Sequence, residues 1–367
     1  MRVSLDATAI PVRPAGGGRY VVELARALGR RADVDATVIS RRRDGARWRA
    51  LAGISVVERA PSPRPVRLAW EQVALPGLLG RLDVEAHHAP HYTMPRRARL
   101  PQVVTIHDLT FFDHPEWHEG VKARFFRHAI RRAARRADAL VCVSKLTAAR
   151  LDSLLGPAAP VRVIPHGVDH TRFHPSDEGD AAVLATLGVR PPYVAFVGTL
   201  EPRKDVPTLV RAFDLLAGRR AEVSLVLGGM DGWGARAVTD ALSAARHSDR
   251  VIRLGYVPDE AVPALLRGAA AVAYPSLDEG FGLPALEALA CGAALVTTAA
   301  TAMAEVTGDA AVLVPPGDED ALAEALDGLV EGGPDVERRR GRGVERAAAY
   351  TWEASAAAHV EVYRSVL

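Results

Sequence analysis

Short apolar runs rich in valine, isoleucine and leucine alternate with longer helix-like segments along the whole chain. Continuous apolar runs predict strands that are buried on both faces, as in parallel sheets covered by helices. Predicted strands include 139–143, 161–164, 193–197, 223–227 and 271–274, and predicted helices include 207–216, 259–267 and 321–330. The pattern therefore predicts an α/β protein built on doubly wound parallel sheets.

The length of 367 residues predicts two domains of similar size, because one core seldom organises so long a chain. We place them at 1–170 and 171–350. A polar stretch at 169–180, with Pro175, Ser176 and Gly179, is the predicted linker. The C-terminal stretch 350–367 predicts an amphipathic helix with Thr351 as N-cap and Glu353 in its first turn, and we assign this helix (about 351–367) to the first domain.

Charge is distributed unevenly between the predicted domains. Residues 1–170 carry 28 lysines and arginines against 16 aspartates and glutamates, a net of +12, and the remainder carries −10. A basic half indicates an anionic partner, such as a membrane surface, a phosphorylated acceptor or a nucleic acid. Nucleic acid ranks last and is not expected, because stacking on bases needs aromatic side chains and only 5% of the residues are aromatic.

Location is predicted from the apolar and cysteine patterns. The sequence has no run of 18 apolar residues, and its first residues show no secretory signal pattern. Cys142 and Cys291 lie singly in apolar stretches, which predicts buried thiols and not a disulfide or a zinc site. We therefore expect a cytoplasmic protein.

The loop after the predicted strand 193–197 carries two cations. Gly198 begins the loop, Arg203 and Lys204 follow, and Pro207 opens the next helix. Ligands of open parallel sheets bind beyond the carboxyl ends of the strands. A planar guanidinium and a mobile ammonium placed there suit a diphosphate. A pair of solvated loop charges is the alternative interpretation.

A second loop, after the predicted strand 271–274, combines glycines with acidic residues. Gly280 and Gly282 let the backbone approach a ligand closely, just before a helix whose amino end favours anions. Glu279 and Glu287 are separated by seven residues, so one carboxylate can bind a sugar and the other a ribose. A tight turn with Glu279 at a helix end is the alternative, but it leaves Glu287 unexplained in an otherwise apolar helix.

These two segments, FVGTLEPRKDVPTL and EGFGLPALEALACG, resemble the family 4 retaining glycosyltransferases of the GT-B fold. The resemblance extends in order over nearly the whole chain, through GGGRY, TIHDL, VCVSKLTAARL, VIPHGVD, GDAAVLVPPGDEDAL and YTWEASA. It implies two Rossmann-like domains that face each other across a cleft, the first on the acceptor side and the second binding the nucleotide-sugar donor. In appearance the chain is most similar to bacterial GDP-mannose-dependent mannosyltransferases.

The resemblance assigns roles to the second domain. Arg203 and Lys204 would bind the donor diphosphate and stabilise the leaving group. Glu279 would contact the donor sugar, and Glu287 the ribose. Gly198, directly after the strand at 193–197, would also contact the donor. Tyr256 and Val257, after a strand at 251–254, would contact the base. Backbone groups before the next helix would contact the sugar and the phosphates: Gly280, Phe281, Gly282 and Leu283.

In the first domain, a glycine-rich turn and a histidine stand out. Gly16, Gly17 and Gly18 separate a predicted strand from a helix; alone such a turn is a weak signal, and the resemblance places it at the donor diphosphate. His107 ends the strand predicted at 102–106 and matches the family's active-site histidine, near the donor sugar and the acceptor. His166 is expected in a turn near the hinge between the domains, without a chemical role.

We expect a reaction that needs no metal and no cofactor. Asp318 and Asp320 have Asp-x-Asp spacing, but they begin a predicted helix and serve as caps. Arg203 and Lys204 can supply the positive charge that a divalent cation would otherwise provide. The resemblance implies retention of the anomeric configuration, by attack on the face from which the diphosphate leaves, with Glu279 positioning the sugar.

A basic segment at 122–136 favours a membrane hypothesis. Phe125, Phe126 and Ile130 lie among eight lysine, arginine or histidine residues, which is typical of a helix on an anionic membrane. The alternative is a helix whose apolar strip packs on the sheet and whose arginines lie in solvent. We expect peripheral attachment at the inner face of the plasma membrane, and a glycan, lipid-linked or phosphorylated acceptor.

Other activities share this architecture. Nucleotide-sugar 2-epimerases release the sugar and would turn over without an acceptor, but they lack this ordered set of motifs. A phosphorylase is disfavoured because no lysine motif for a pyridoxal cofactor stands out. Among donors, GDP-mannose is favoured, and UDP-glucose or another UDP-hexose is the alternative.

Overall fold

The computed structural model describes residues 1–176 and 178–367. The chain divides into two compact units, one formed by Met1–Gly167 with Thr351–Leu367 and the other by Val168–Tyr350. Each unit contains a Rossmann-like parallel sheet in which most successive strands are connected through helices, because parallel strands need a crossover connection.

The first unit contains, within the described residues, a seven-stranded sheet in the order β3-β2-β1-β4-β5-β6-β7. Its strands are β1 (Arg2–Asp6), β2 (Asp35–Arg41), β3 (Ile54–Ala60), β4 (Ala86–Ala89), β5 (Gln102–Ile106), β6 (Ala139–Cys142) and β7 (Val161–Val163). Its helices are α1 (Gly17–Gly29), α2 (Gly45–Arg49), α3 (Arg64–Val73), α4 (Leu75–Leu79), α5 (Thr110–Asp113), α6 (Gly120–Arg136) and α7 (Lys145–Leu155). The winding direction reverses between β1 and β4, so the loops that follow these strands diverge at one edge of the sheet.

The second unit contains, again within the described residues, a six-stranded sheet in the order β10-β9-β8-β11-β12-β13. Its strands are β8 (Tyr193–Val197), β9 (Ser224–Gly228), β10 (Val251–Gly255), β11 (Ala271–Tyr274), β12 (Leu295–Thr298) and β13 (Val312–Val314). Its helices are α8 (Asp180–Thr186), α9 (Val206–Ala217), α10 (Arg236–Ala244), α11 (Val262–Arg267), α12 (Leu283–Ala290), α13 (Ala302–Thr307), α14 (Glu319–Glu331) and α15 (Pro334–Ala348). Here the reversal lies between β8 and β11.

The C-terminal helix, α16 (Trp352–Ser365), belongs to the first unit. As predicted, Thr351 caps it, with its hydroxyl accepting from the backbone N–H of Ala354 at 3.0 Å. Asp318 likewise caps α14 by accepting from the N–H of Ala321 at 2.9 Å, which confirms its predicted capping role. Both cysteines are buried free thiols, also as predicted.

The predicted linker is part of the second unit and is anchored at two buried residues. Phe173 is buried, and the carboxylate of Asp180 accepts two hydrogen bonds of 2.7 Å from the guanidinium of Arg267. Asp177, within this stretch, lies outside the described residues. The polar composition of the segment therefore hides structured contacts, because a charge can be buried when a bidentate partner satisfies it.

The apolar strip of α6 corrects one expectation. Phe126 and Ile130 are buried in the core of the first unit, and Phe125 packs against that core. Arg124 and Arg131 lie on the exposed face. The strip is therefore occupied by the core, which favours the packed-helix alternative over a helix that inserts its apolar strip into a membrane. Of the helices in residues 1–176 and 178–367, none combines the length and the apolar character that crossing a membrane demands.

A buried chain of hydrogen bonds ties α16 to the sheet of the first unit. Because the carbonyl of Ser355 can only accept, Nδ1 of His359 carries a proton, and Nε2 accepts from Tyr20 at 2.8 Å. The hydroxyl of Tyr20 then accepts a hydrogen bond from the hydroxyl of Thr105 at 3.0 Å. The hydroxyl of Thr105 in turn accepts a hydrogen bond from Nε2 of His88 at 2.8 Å. This order leaves both imidazoles neutral. Burial lowers the pKa of His359 to about 4 and holds the pKa of His88 well below its usual range.

This chain predicts acid sensitivity of the first unit. In the unfolded chain His359 has a pKa of about 6.5, so it binds a proton below that pH, whereas in the folded chain it stays neutral down to about pH 4. The free energy of unfolding therefore decreases as the pH falls from 6.5 towards 4. Between pH 7 and pH 5 this residue alone should remove about 2 kcal/mol from the free energy of unfolding. Urea unfolding at both pH values should show His359→Gln losing about 2 kcal/mol less than wild type. The exposed His128→Gln variant is the control, and equal losses in all three proteins would contradict the assignment.

Candidate functional site

In the second unit, the two loops singled out from the sequence lie side by side. They follow β8 and β11, which pair directly at the reversal of the sheet. The N–H of Leu277 donates to the carbonyl of Arg203 at 2.8 Å, so backbone contact joins the loops. In doubly wound sheets this position at the carboxyl edge is where ligands bind.

Three predicted residues meet in one ion cluster there. The guanidinium of Arg203 donates to one carboxylate oxygen of Glu279 at 2.5 Å, and the ammonium of Lys204 donates to the other. The hydroxyl of Ser276 also donates to Glu279, at 3.3 Å, and Nε of Arg203 lies 2.6 Å from the carboxylate of Glu201. Glu279 is thus held by three donors, and Lys204 and Glu279 are both buried.

The electrostatics of the cluster follow from burial and pairing. Burial lowers the pKa of Lys204, and the charge of Glu279 opposes that effect. Burial alone would raise the pKa of Glu279, but the charges of Arg203 and Lys204 outweigh it and set this pKa at about 2. Glu279 is therefore ionised at any physiological pH. A phosphate group that reaches the two cations has to share them with a carboxylate already bound.

The start of α12 is built for close backbone approach. Gly282 has φ of 97°, and a Cβ there would lie 2.3 Å from Cγ of Met303, so a larger residue would be both strained and obstructed. The side chains of Phe281 and Leu283 are buried, so these two residues would contact a ligand through their backbone groups. The helix amino end adds a favourable dipole for an anion.

Glu287 is buried in the second turn of α12. Burial raises the pKa of Tyr274 well above its usual value, and the negative charges of Glu287 and, to a smaller extent, Glu279 add to the effect. Both carboxylates of the predicted pair therefore act on the tyrosine that ends β11.

The predicted base-contact residues differ in exposure. Tyr256 is 44% exposed, whereas Val257 is buried and packs over Gly228, where an added Cβ would lie 2.8 Å from its Cγ2. The N–H of Gly198 donates to the carbonyl of Gly228 at 2.8 Å, and the N–H of Gly229 donates to the carbonyl of Gly255, the last residue of β10, at 2.6 Å. Sequence reasoning missed Gly228 and Gly229, although a glycine pair directly after a strand marks a close approach of backbones.

In the first unit, the glycine turn and His107 are in contact. The turn follows β1 and His107 follows β5; a Cβ on Gly17 would lie 3.3 Å from Nε2 of His107. That nitrogen is 2.8 Å from the carbonyl of Pro90, which can only accept, so neutral His107 carries its proton on Nε2 and its lone pair on Nδ1. Burial lowers the pKa of His107, which favours the neutral form. Gly16 and Gly18 flank Gly17, and Gly16 is exposed.

A ring cluster that the sequence did not indicate surrounds His107. His166 was expected only in a turn, but its ring centroid lies 5.9 Å from that of His107 and 4.8 Å from that of Tyr20. Trp352, from α16, stacks on His166 with a centroid distance of 5.8 Å, and its ring lies 6.3 Å from that of Tyr20. These residues lie far apart in sequence. The sequence signal that could have predicted their contact is that His107 and His166 each follow a predicted strand.

Two family models match the chain, one over most of the first unit and one over most of the second. The model described as Glycosyltransferase Family 4 matches residues 14–172, and the model described as Glycosyl transferases group 1 matches residues 186–346. Together they cover the segments that carry the glycine turn, His107 and the ion cluster.

Curated relatives agree with these matches. The chain is 29% identical over 285 residues to O-antigen chain mannosyltransferase B of Escherichia coli, covering 76% of this chain and 74% of the relative. It is 32% identical over 305 residues to D-inositol 3-phosphate glycosyltransferase of Mycobacteroides abscessus, covering 76% and 67%. Across the relatives compared, the match spans between 51% and 74% of their lengths.

Among solved structures, sucrose-phosphate synthase of Thermosynechococcus elongatus superposes with a TM-score of 0.82 at 22% identity, over 100% of this chain and 98% of that one. At this identity the likeness shows the fold, which is GT-B. The ordered motifs, the family models and the relatives agree. The chain therefore belongs to glycosyltransferase family 4, and it is a glycosyltransferase that takes its sugar from a nucleotide sugar.

Proposed function

We propose that this glycosyltransferase transfers a hexose with retention of configuration, and without a metal ion, from a nucleotide-diphosphate sugar to an acceptor of cell-envelope polysaccharide or glycolipid synthesis. The observation that carries the proposal is the cluster of Arg203, Lys204 and Glu279 at the reversal point of the second sheet. Two convergent cations at that position suit a diphosphate whose charge grows as the glycosidic bond breaks.

The second unit holds the donor in this proposal. Arg203 and Lys204 bind the diphosphate, the backbone at the start of α12 binds sugar and phosphate, and the exposed ring of Tyr256 packs at the base. Glu287 binds the ribose and Glu279 the sugar hydroxyls. Before the donor binds, the negative charge of Glu279 balances the positive charges of Arg203 and Lys204. When the donor binds, its diphosphate replaces Glu279 as the partner of the two cations, and Glu279 binds the sugar instead.

The first unit holds the acceptor in this proposal. His107 is neutral, and the lone pair on Nδ1 makes it an acceptor for a sugar or acceptor hydroxyl. Since Nε2 is bonded to the carbonyl of Pro90, the ring orientation is fixed before substrate arrives. Pre-positioning of this kind lowers the entropic part of the barrier.

The relatives support a choice of substrates. The mannosyltransferase of Escherichia coli supports mannose, and hence GDP-mannose, as the favoured donor. The inositol 3-phosphate enzymes support a phosphorylated acceptor, alongside the glycan or lipid-linked acceptor. A UDP-hexose is the second donor candidate. Epimerisation is not favoured, because the family models and relatives are those of transferases.

The proposal includes peripheral attachment at the inner face of the plasma membrane through charge attraction, and not through insertion of an apolar strip. The exposed arginines of α6 can be attracted by anionic lipids, whereas its apolar strip is buried in the core. This attachment is expected to weaken with salt.

Donor identity can be measured by thermal shift with GDP, UDP, ADP and their sugar conjugates, without metal. A ligand at one hundred times its Kd stabilises the folded state by about 2.7 kcal/mol, so one nucleotide should stand out. GDP and GDP-mannose are expected to give the shift, and Glu287→Gln should reduce it for both. A shift with none of the nucleotides, in the presence or absence of magnesium, would contradict the donor site.

If the diphosphate displaces Glu279 from Arg203 and Lys204, neutralising Glu279 should change donor affinity and transfer in opposite directions. Glu279→Gln should bind the nucleoside diphosphate about tenfold more tightly, because Arg203 and Lys204 lose a competing charge. Glycosyl transfer should nevertheless fall about a hundredfold, since the sugar loses its positioning carboxylate. Glu201→Gln is the control: Glu201 contacts Arg203 but its side chain is 31% exposed, so its loss should change affinity less than about threefold. Unchanged affinity in Glu279→Gln would rule out the exchange.

Stereochemistry and metal dependence share one assay. Proton NMR of the first product formed should show the anomeric configuration of the donor, and excess EDTA should leave the rate unchanged within about twofold, because the cluster supplies the charge that a metal would. Inverted product, or a rate that EDTA abolishes and magnesium restores, would contradict the mechanism.

A further inference from the structure

A basic pocket of about 540 Å³ lies in the first unit. It is formed where the segment before β5 meets the end of α6, and the polar residues that line it are Arg96, Arg99, Gln102, Arg132, Arg136 and Asp138. Four guanidinium groups therefore converge on one cavity from two parts of the chain. Its volume falls within the range of roughly 300–1,000 Å³ that is common for small-molecule sites.

The pocket lies at the edge of the sheet opposite His107. Gln102 begins β5 and Asp138 directly precedes β6, whereas His107 follows the far end of β5. A five-residue strand spans about 16 Å, so the pocket and His107 occupy opposite ends of the strand. The pocket belongs to neither of the loop sets that carry the proposed donor and acceptor chemistry.

The positive charge in the pocket is poorly balanced. Within the described part of the chain, none of the four arginines forms an ion pair, and the one acid that lines the pocket, Asp138, is exposed and accepts from the backbone N–H of Gln102 at 2.8 Å. Burial, followed by the charges of Arg96 and Arg136, lowers the pKa of Arg132. Like charges crowded in this way repel one another, and a bound anion would remove that repulsion.

Two of the residues that line the pocket also contain unsatisfied polar atoms. Nε of Arg132 and Oε1 of Gln102 are buried without a hydrogen-bond partner among the described residues. An unsatisfied buried polar atom costs about 1–3 kcal/mol. A bound anion around which these two side chains rearrange would recover that cost.

We propose that this pocket is a binding site for a phosphate ester, held by Arg96, Arg99, Arg132 and Arg136. Guanidinium forks match the oxygen geometry of phosphate, and several of them around one cavity favour a phosphate over a carboxylate ligand. The ester has two sources with the same chemistry: a soluble sugar or polyol phosphate, and the headgroup of an anionic phospholipid. The site does not depend on the residues of the proposed donor site.

Two double variants of equal charge test the site. R99E/R136E reverses two exposed arginines that line the pocket, and R97E/R135E reverses their sequence neighbours, which are exposed and do not line it. Glycerol 1-phosphate should bind wild type and R97E/R135E alike in calorimetric titration, and R99E/R136E at least about tenfold more weakly. Both variants should keep the wild-type affinity for a nucleoside diphosphate, which separates this site from the donor site.

Co-sedimentation with phosphatidylglycerol vesicles, against phosphatidylcholine vesicles, distinguishes the two sources. Loss of vesicle binding in R99E/R136E but not in R97E/R135E assigns the pocket to a lipid headgroup. Discrimination by glycerol 1-phosphate alone, with no such difference on vesicles, assigns it to a soluble ester. Equal behaviour of the two double variants in both assays, or no binding by wild type in either, would overturn the proposal.

Discussion

Parallel strand pairing with a reversal of winding is the constraint on which the functional geometry of each unit depends. The reversal separates the crossovers on either side of β1 and β4, and again of β8 and β11. The connections that follow the two strands lead to opposite faces of the sheet there, which leaves a crevice for a ligand. Both reversal points carry the motif residues: the glycine turn near His107 in one unit and the ion cluster in the other.

The two units satisfy their buried polar groups in different ways. In the first, a fixed order of donors and acceptors from Thr105 through Tyr20 to His359 keeps the imidazole neutral and joins α16 to the sheet. In the second, Lys204 and Glu279 are buried as charges and stabilise each other. A neutral network suits a permanent contact between elements. A charged cluster suits a site, because a second anion can compete for the same cations.

Local sequence signals predicted much of the fold. The bounds of β5, β8 and β11 match the predicted strands, and the caps at Thr351 and Asp318 form as predicted, because each depends on a few neighbouring residues. The face that α6 presents to the core was left open by its sequence. A strip of phenylalanine and isoleucine beside arginines fits a membrane surface and a protein core equally well, and only packing decides between them.

The sequence by itself determined the family, the doubly wound sheets and the chemical character of the cluster, because ordered motifs and apolar runs are local properties of the chain. Tertiary structure decided which distant residues meet. It paired Glu279 with Arg203 and Lys204, placed His166 beside His107, and brought Arg96 to the pocket with Arg132. These contacts follow from the order and register of parallel strands, which hydrophobic periodicity does not encode.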